Sequence, residues 1–137
     1  MFYQSHLIKE LFAESLIIME KFKVTRVYSD SNGESHFEEM DVPLHDQGMI
    51  GRLSEGIPAQ EIIFREVEPG YDWSFHNAPA RQYIILLDGE IEIETSLGDK
   101  RRFGAGEILL MEDTTGKGHK TRNILAQKRK SVFITLP

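Results

Sequence analysis

The sequence predicts an all-β fold, a sandwich or barrel of short strands, and three observations carry that prediction. Runs rich in β-branched and aromatic residues recur along the chain, and clusters of Gly, Pro, Asp, Asn and Ser separate them at intervals of roughly 8–12 residues. One hairpin is explicit: residues 82–87 and 90–95 flank Asp88-Gly89, a pair that supplies the positive φ of a tight primed turn. In the second arm Ile91 and Ile93 alternate strictly with Glu90, Glu92 and Glu94, the pattern of a strand with one core face and one solvent face.

Residues 5–20 form the one helix-like segment. Leu7, Leu11 and Ile18 recur at steps of four and seven, and Ile8, Phe12 and Ile17 widen the apolar face. A packed short helix and a terminal appendage both fit it, and Met19 is a second position at which the chain could begin. The expected organisation is an N-terminal extension over residues 1–20 and a single barrel domain over 21–137. Within that domain strands are expected at 23–28, 61–67, 82–87, 90–95, 100–103, 107–111 and 132–136. Turns fall at Ser29-Asp30-Ser31-Asn32-Gly33, at Pro69-Gly70 and at Leu97-Gly98-Asp99. In residues 83–87 both parities are apolar. If Gln82, Ile84 and Leu86 point inward, Tyr83, Ile85 and Leu87 point outward and need cover. A second subunit, making a homodimer, is the economical expectation, with the N-terminal segment as the other source.

Composition narrows the function classes. The 137 residues suffice for one domain and a real core. There is no cysteine, which excludes disulfides, thiolate nucleophiles and cysteine-based metal sites and fits a reducing compartment, so the expected location is the cytoplasm. A net charge of −6 without a basic block argues against nucleic acid as a partner. The longest apolar runs are of four to five residues, against about 20 for a bilayer span, so no membrane partner is expected.

Two segments carry the candidate chemistry. The first holds Gly70, Trp73, His76, Gln82 and Gly89; the second holds Gly106, His119 and Asn123. Their spacings resemble the two motifs of the cupin family, over about residues 60–136. The resemblance implies an antiparallel double-stranded β-helix, or jelly-roll, barrel in which His76, Gln82 and His119 face one cavity. In the full family motif three histidines and a glutamate hold a divalent metal. Here the second histidine is Ala78, the glutamate is Gln82, and a longer loop from Glu112 to Gly118 replaces the Pro-x-Gly segment. A Gln oxygen is a weak neutral donor, so a divalent ion (zinc, nickel, iron or manganese) is expected to be weakly held, if at all, by His76, Gln82 and His119.

Two functions follow from these residues. One is a binding or sensing module whose His76, Gln82, His119 and Trp73 contact a small polar or anionic organic ligand. The other is a metal-dependent enzyme of oxygenase, isomerase or lyase type acting on a small organic acid or sugar. Trp73 and Tyr71 are read as a rim that caps the barrel or stacks on a planar ligand, and Asn123 as a loop-fixing side chain. Lys117, Lys120 and Arg122 bring positive charge near the expected mouth and are read chiefly as a solvated loop. Lys128-Arg129-Lys130 is read as a surface turn, Arg81 as lying outside the cavity, and His6, His36 and His45 as exposed. No nucleophile elbow and no phosphate loop is present.

Overall fold

The computed structural model describes residues 21–137, and the helix expected over 5–20 lies outside them. Twelve strands are present: β1 (Phe22–Ser29), β2 (Ser35–Val42), β3 (His45–Asp46), β4 (Arg52–Leu53), β5 (Ile62–Val67), β6 (Asp72–His76), β7 (Gln82–Leu86), β8 (Glu90–Thr95), β9 (Lys100–Gly104), β10 (Ile108–Met111), β11 (His119–Asn123) and β12 (Arg129–Thr135). They make a six-stranded sheet in the order β2-β1-β10-β7-β12-β5, a four-stranded sheet in the order β6-β11-β8-β9, and the two-stranded β3-β4. No helix among the described residues is long and apolar enough to cross a membrane.

The described residues fall into two compact units, 21–23 with 41–55 and 24–40 with 56–137. The smaller contains the β3-β4 ribbon and a single 3-10 turn at Gly48–Ile50, with Lys21 paired to Asp41. The larger holds the candidate site. The hairpin read from Asp88-Gly89 is present, with Gly89 at φ +70. Ile91, Ile93 and Thr95 of β8 are buried and the alternating acids are not. Val27, Leu86, Ile91, Ile93, Phe103, Leu109 and Met111 form the core; a buried side chain of this kind contributes about 1.5–3 kcal/mol.

Two features differ from the sequence reading. The barrel is not wholly antiparallel, because β1 pairs in parallel with β10 (Thr25 with Leu109, Val27 with Met111). Parallel neighbours need a long connection, and the chain between these strands is long enough to build most of the barrel. The last strand also starts earlier than expected. Arg129 is its first residue and is 2% exposed, so Lys128-Arg129-Lys130 is not a surface turn: the inward parity of Phe133 and Ser131 continues to Arg129.

Candidate functional site

Strand register explains why the two motifs meet. β6 and β11 lie side by side in the four-stranded sheet, and His119 pairs directly with His76 across them. Their ring centroids are 4.4 Å apart. On the facing sheet Gln82 pairs with Met111 on one side and Thr135 on the other, while Ile84 pairs with Leu109 and Phe133. Side chains alternate across a strand, so Gln82, Ile84 and Leu86 share the inward face. Gln82 and Leu86 are buried and Ile84 is partly buried, as the sequence reading expected.

A cavity opens between the sheets. Its lining brings together His76, Gln82, His119 and Trp73, every site residue read from the sequence. Trp73 lies flat on His76, with ring centroids 3.6 Å apart and planes 9° apart, and is half exposed at the rim. Gln82 is buried in the same lining, 4% exposed.

Each imidazole is oriented through Nδ1. The His76 Nδ1–H donates to the Ser74 carbonyl at 2.7 Å, and the His119 Nδ1–H donates to Asp113 Oδ2 at 2.5 Å. A carbonyl oxygen can only accept, so the proton of neutral His76 sits on Nδ1 and Nε2 is the open nitrogen. The same holds for His119, whose partner Asp113 is fully buried. Burial lowers the proton affinity of His76 below the ordinary 6.5, and the nearby His119 and Arg65 act in the same direction. A neutral Nε2 accepts a hydrogen bond or a proton; at His119 the Asp113 carboxylate would stabilise the resulting imidazolium.

Asp113 belongs to the loop that replaces the family's Pro-x-Gly segment, and the fold ties that loop down. The Asp113 carbonyl accepts from the Ala78 N–H at 3.1 Å, and the Asn77 side chain donates to the carbonyls of Asp113 and Gly116. Glu112 accepts from Arg26 at 2.6 Å and from Arg81 at 2.7 Å. Lys117 pairs with Glu34 and Arg122 with Glu92. Lys117 and Arg122, two of the three basic residues read near the mouth, are therefore engaged elsewhere, and the Gly116-Lys117-Gly118 connection is packed against its neighbours. Arg81 lies outside the cavity, as expected. His36, expected to be exposed, is instead paired with Asp30 at 2.7 Å, while His45 is exposed.

The residues that sequence reasoning missed are Asp113, Arg65 and Arg129. Asp113 was one acid among several in a loop, with no periodicity to bury it. Arg65 and Arg129 line the cavity on β5 and β12, and the parity of β12 was the available signal for Arg129. Asn123 has the loop-fixing role read for it. Its amide donates to the Glu68 and Pro69 carbonyls, and its oxygen accepts from Arg129 Nε at 2.9 Å.

A resident divalent ion does not fit this set of side chains. Ala78 stands where the family motif has an imidazole, and Asp113 backs His119 rather than standing beside it. Among the described residues no three His, Asp or Glu side chains are grouped to hold a metal. The guanidinium groups of Arg65 and Arg129 line the same cavity. Two imidazoles and an amide, facing two fixed cations, are short of the donors and of the negative charge such an ion requires.

No family model matches the sequence, and no curated protein matches it. Solved structures do. A predicted oxalate decarboxylase from Thermotoga maritima is 20% identical with a TM-score of 0.42, over 83% of this chain and 94% of that one. An RmlC-like cupin protein from Desulfovibrio desulfuricans is 16% identical with a TM-score of 0.40, over 82% of this chain and 81% of that one. The cupin domain of Cnp3 from Schizosaccharomyces pombe is 16% identical with a TM-score of 0.42, over 84% of this chain and 88% of that one. At these identities and scores the likeness says nothing of ligand or reaction. The two-sheet strand order sets the two motif-bearing strands side by side in the four-stranded sheet.

Proposed function

We propose that this cupin-type barrel is a binding module for a small polar organic molecule, held in the cavity by His76, Gln82 and His119 with Trp73 at its rim. One observation carries the reading. Two imidazoles, each fixed through Nδ1 with Nε2 open, share a largely apolar cavity with the side chain of buried Gln82. Concave apolar walls with a few oriented polar groups are the usual make-up of a small-molecule site. The ligand's hydroxyl, amine or carbonyl supplies what these three side chains lack, and the apolar wall of Ile84, Leu109 and Met111 takes its hydrocarbon part. The alternative, a metal-dependent enzyme on an organic acid or sugar, needs donors that the cavity does not bring together.

Trp73 is the sole tryptophan and is stacked on His76, so its fluorescence reports occupancy of the cavity. Small amides, hydroxy compounds and acids titrated into the protein should include one that changes Trp73 emission saturably. His119→Gln and Gln82→Leu should each weaken that ligand at least about tenfold, which is about 1.4 kcal/mol. A ligand that binds all three proteins equally would refute the assignment of these side chains.

A further inference from the structure

We infer that the β5–β12 end of the cavity is a carboxylate site, in which Arg65 and Arg129 receive the acid group of the ligand. The inference rests on the cavity being a small-molecule site and names the class of molecule it takes. Four buried side-chain atoms lack a hydrogen-bond partner among the described residues: Arg65 Nη2, Arg129 Nη2, Ser131 Oγ and Asp113 Oδ1. Three of the four sit at neighbouring positions of two adjacent strands. In the β5–β12 register Ser131 pairs with Arg65 and Arg129 with Val67, so both arginines project from one face as diagonal neighbours.

Neither arginine has a carboxylate partner among the described residues, while other cations of the barrel, such as Arg26, Arg81, Arg102 and Arg122, do. An unneutralised charge is costly to bury and is retained where something pairs with it. Burial and the adjacent Arg65 both press against the charge on Arg129, and Tyr71 and Asp88 offset them only in part. The fold nonetheless builds a precise seat for it. Nε is held by Asn123, itself fixed to the Glu68 and Pro69 carbonyls, and the Tyr71 ring lies 5.6 Å from the Arg129 guanidinium carbon and 4.9 Å from that of Arg65. Gly89 adds to the seat, because a Cβ there would come within 3.1 Å of the Arg129 stem.

Two guanidinium groups on one wall, each with an unpaired Nη2, suit a planar anion with two oxygens, and Arg binds carboxylates through such paired donors. The walls beyond the arginines are apolar, with Leu86, Phe133 and Ile84, which favours a carboxylate on a short hydrocarbon body over a fully hydrated inorganic anion. Bound in this way, the acid group occupies the β5–β12 end. The opposite end of the ligand then lies toward the open nitrogens of His76 and His119.

The test compares charged probes with neutral partners of the same shape. Butyrate and benzoate, butyramide and benzamide, and inorganic phosphate are titrated by calorimetry into the full chain at neutral pH. Each carboxylate should bind at least about tenfold more tightly than its amide and more tightly than phosphate. Arg129→Gln or Arg65→Gln should bring carboxylate and amide within about twofold of each other. Arg65 is only partly buried, so its variant reads the site even where Arg129→Gln disturbs folding. Arg129→Met should melt higher than the unmodified protein without ligand and lose the rise in melting temperature that benzoate gives. Equal binding of acids and amides by the unmodified protein overturns the carboxylate site and leaves the cavity reading standing. Tighter binding of phosphate than of either acid overturns the choice of carboxylate. Binding of none of the five probes overturns both.

Discussion

Gly118→Ala is the sharpest test of the geometry that joins the two motifs. Gly118 precedes His119, is buried, and has φ +71. A Cβ at this position would overlap the His76 carbonyl group and reach to 3.0 Å of the Asn77 nitrogen. These are backbone atoms, so no rotamer change relieves the overlap. A left-handed φ costs a residue with a side chain about 1–2 kcal/mol, and forcing a carbon into packed structure costs about 1–3 kcal/mol more. The expected loss is thus about 2–5 kcal/mol, or a fall in melting temperature on the order of 10 °C for a domain of this size. Gly106→Ala is the matched control: its φ is +84 and a Cβ there meets nothing within 4 Å, so it pays only the first cost. Thermal and urea unfolding of the two variants, with near-ultraviolet circular dichroism of the stacked Trp73, separates the terms. If Gly118→Ala loses no more stability than Gly106→Ala and the Trp73 signal is unchanged, the close approach of β11 to the end of β6 is wrong. The convergence of His76 and His119 then falls with it.

The pH dependence of stability should show two windows. His76 has a proton affinity below 6.5 in the fold, so the unfolded chain binds the proton first and stability falls as pH drops below about 6.5; His76→Gln should remove that part of the slope in urea midpoints. Burial raises the Glu112 pKa, but Arg26 and Arg81 more than offset this and hold it below 4.5. Its contribution is present above that pH and lost as pH falls through the depressed value, a loss that Glu112→Gln should abolish. Ala78→His with Gln82→Glu should raise nickel or zinc affinity by at least roughly tenfold in calorimetry, since it adds the imidazole and the negative charge the cavity lacks; an unchanged affinity would show that the strands do not hold metal-site geometry. A second copy of the chain is expected to cover the outward face of β5 and β7, where Phe64 is 78% and Leu87 53% exposed. Light scattering at micromolar concentration should give a dimer, and Phe64→Lys with Leu87→Lys a monomer; a monomeric unmodified protein would count against that cover.

Strand grammar and the two histidines were legible in the chain's local pattern. Asp88-Gly89 and the Ile–Glu alternation after it are local signals, because turn geometry and side-chain parity depend only on neighbours in the chain. The inward set Gln82, Ile84 and Leu86 was legible for the same reason, and the resemblance to a two-motif family implied one cavity for His76 and His119. Pairing between distant strands left no such local signal. That Asp113 stands behind His119, that β1 runs parallel to β10, and that Arg65 and Arg129 are neighbours on one wall all depend on register across sheets. Charged residues in a short run such as Lys128-Arg129-Lys130 are read as surface because burying an unpaired charge is unfavourable. The fold buries the middle one regardless, since the parity of β12 and the Asn123 side chain fix its stem and Nε before any partner for its charge is considered.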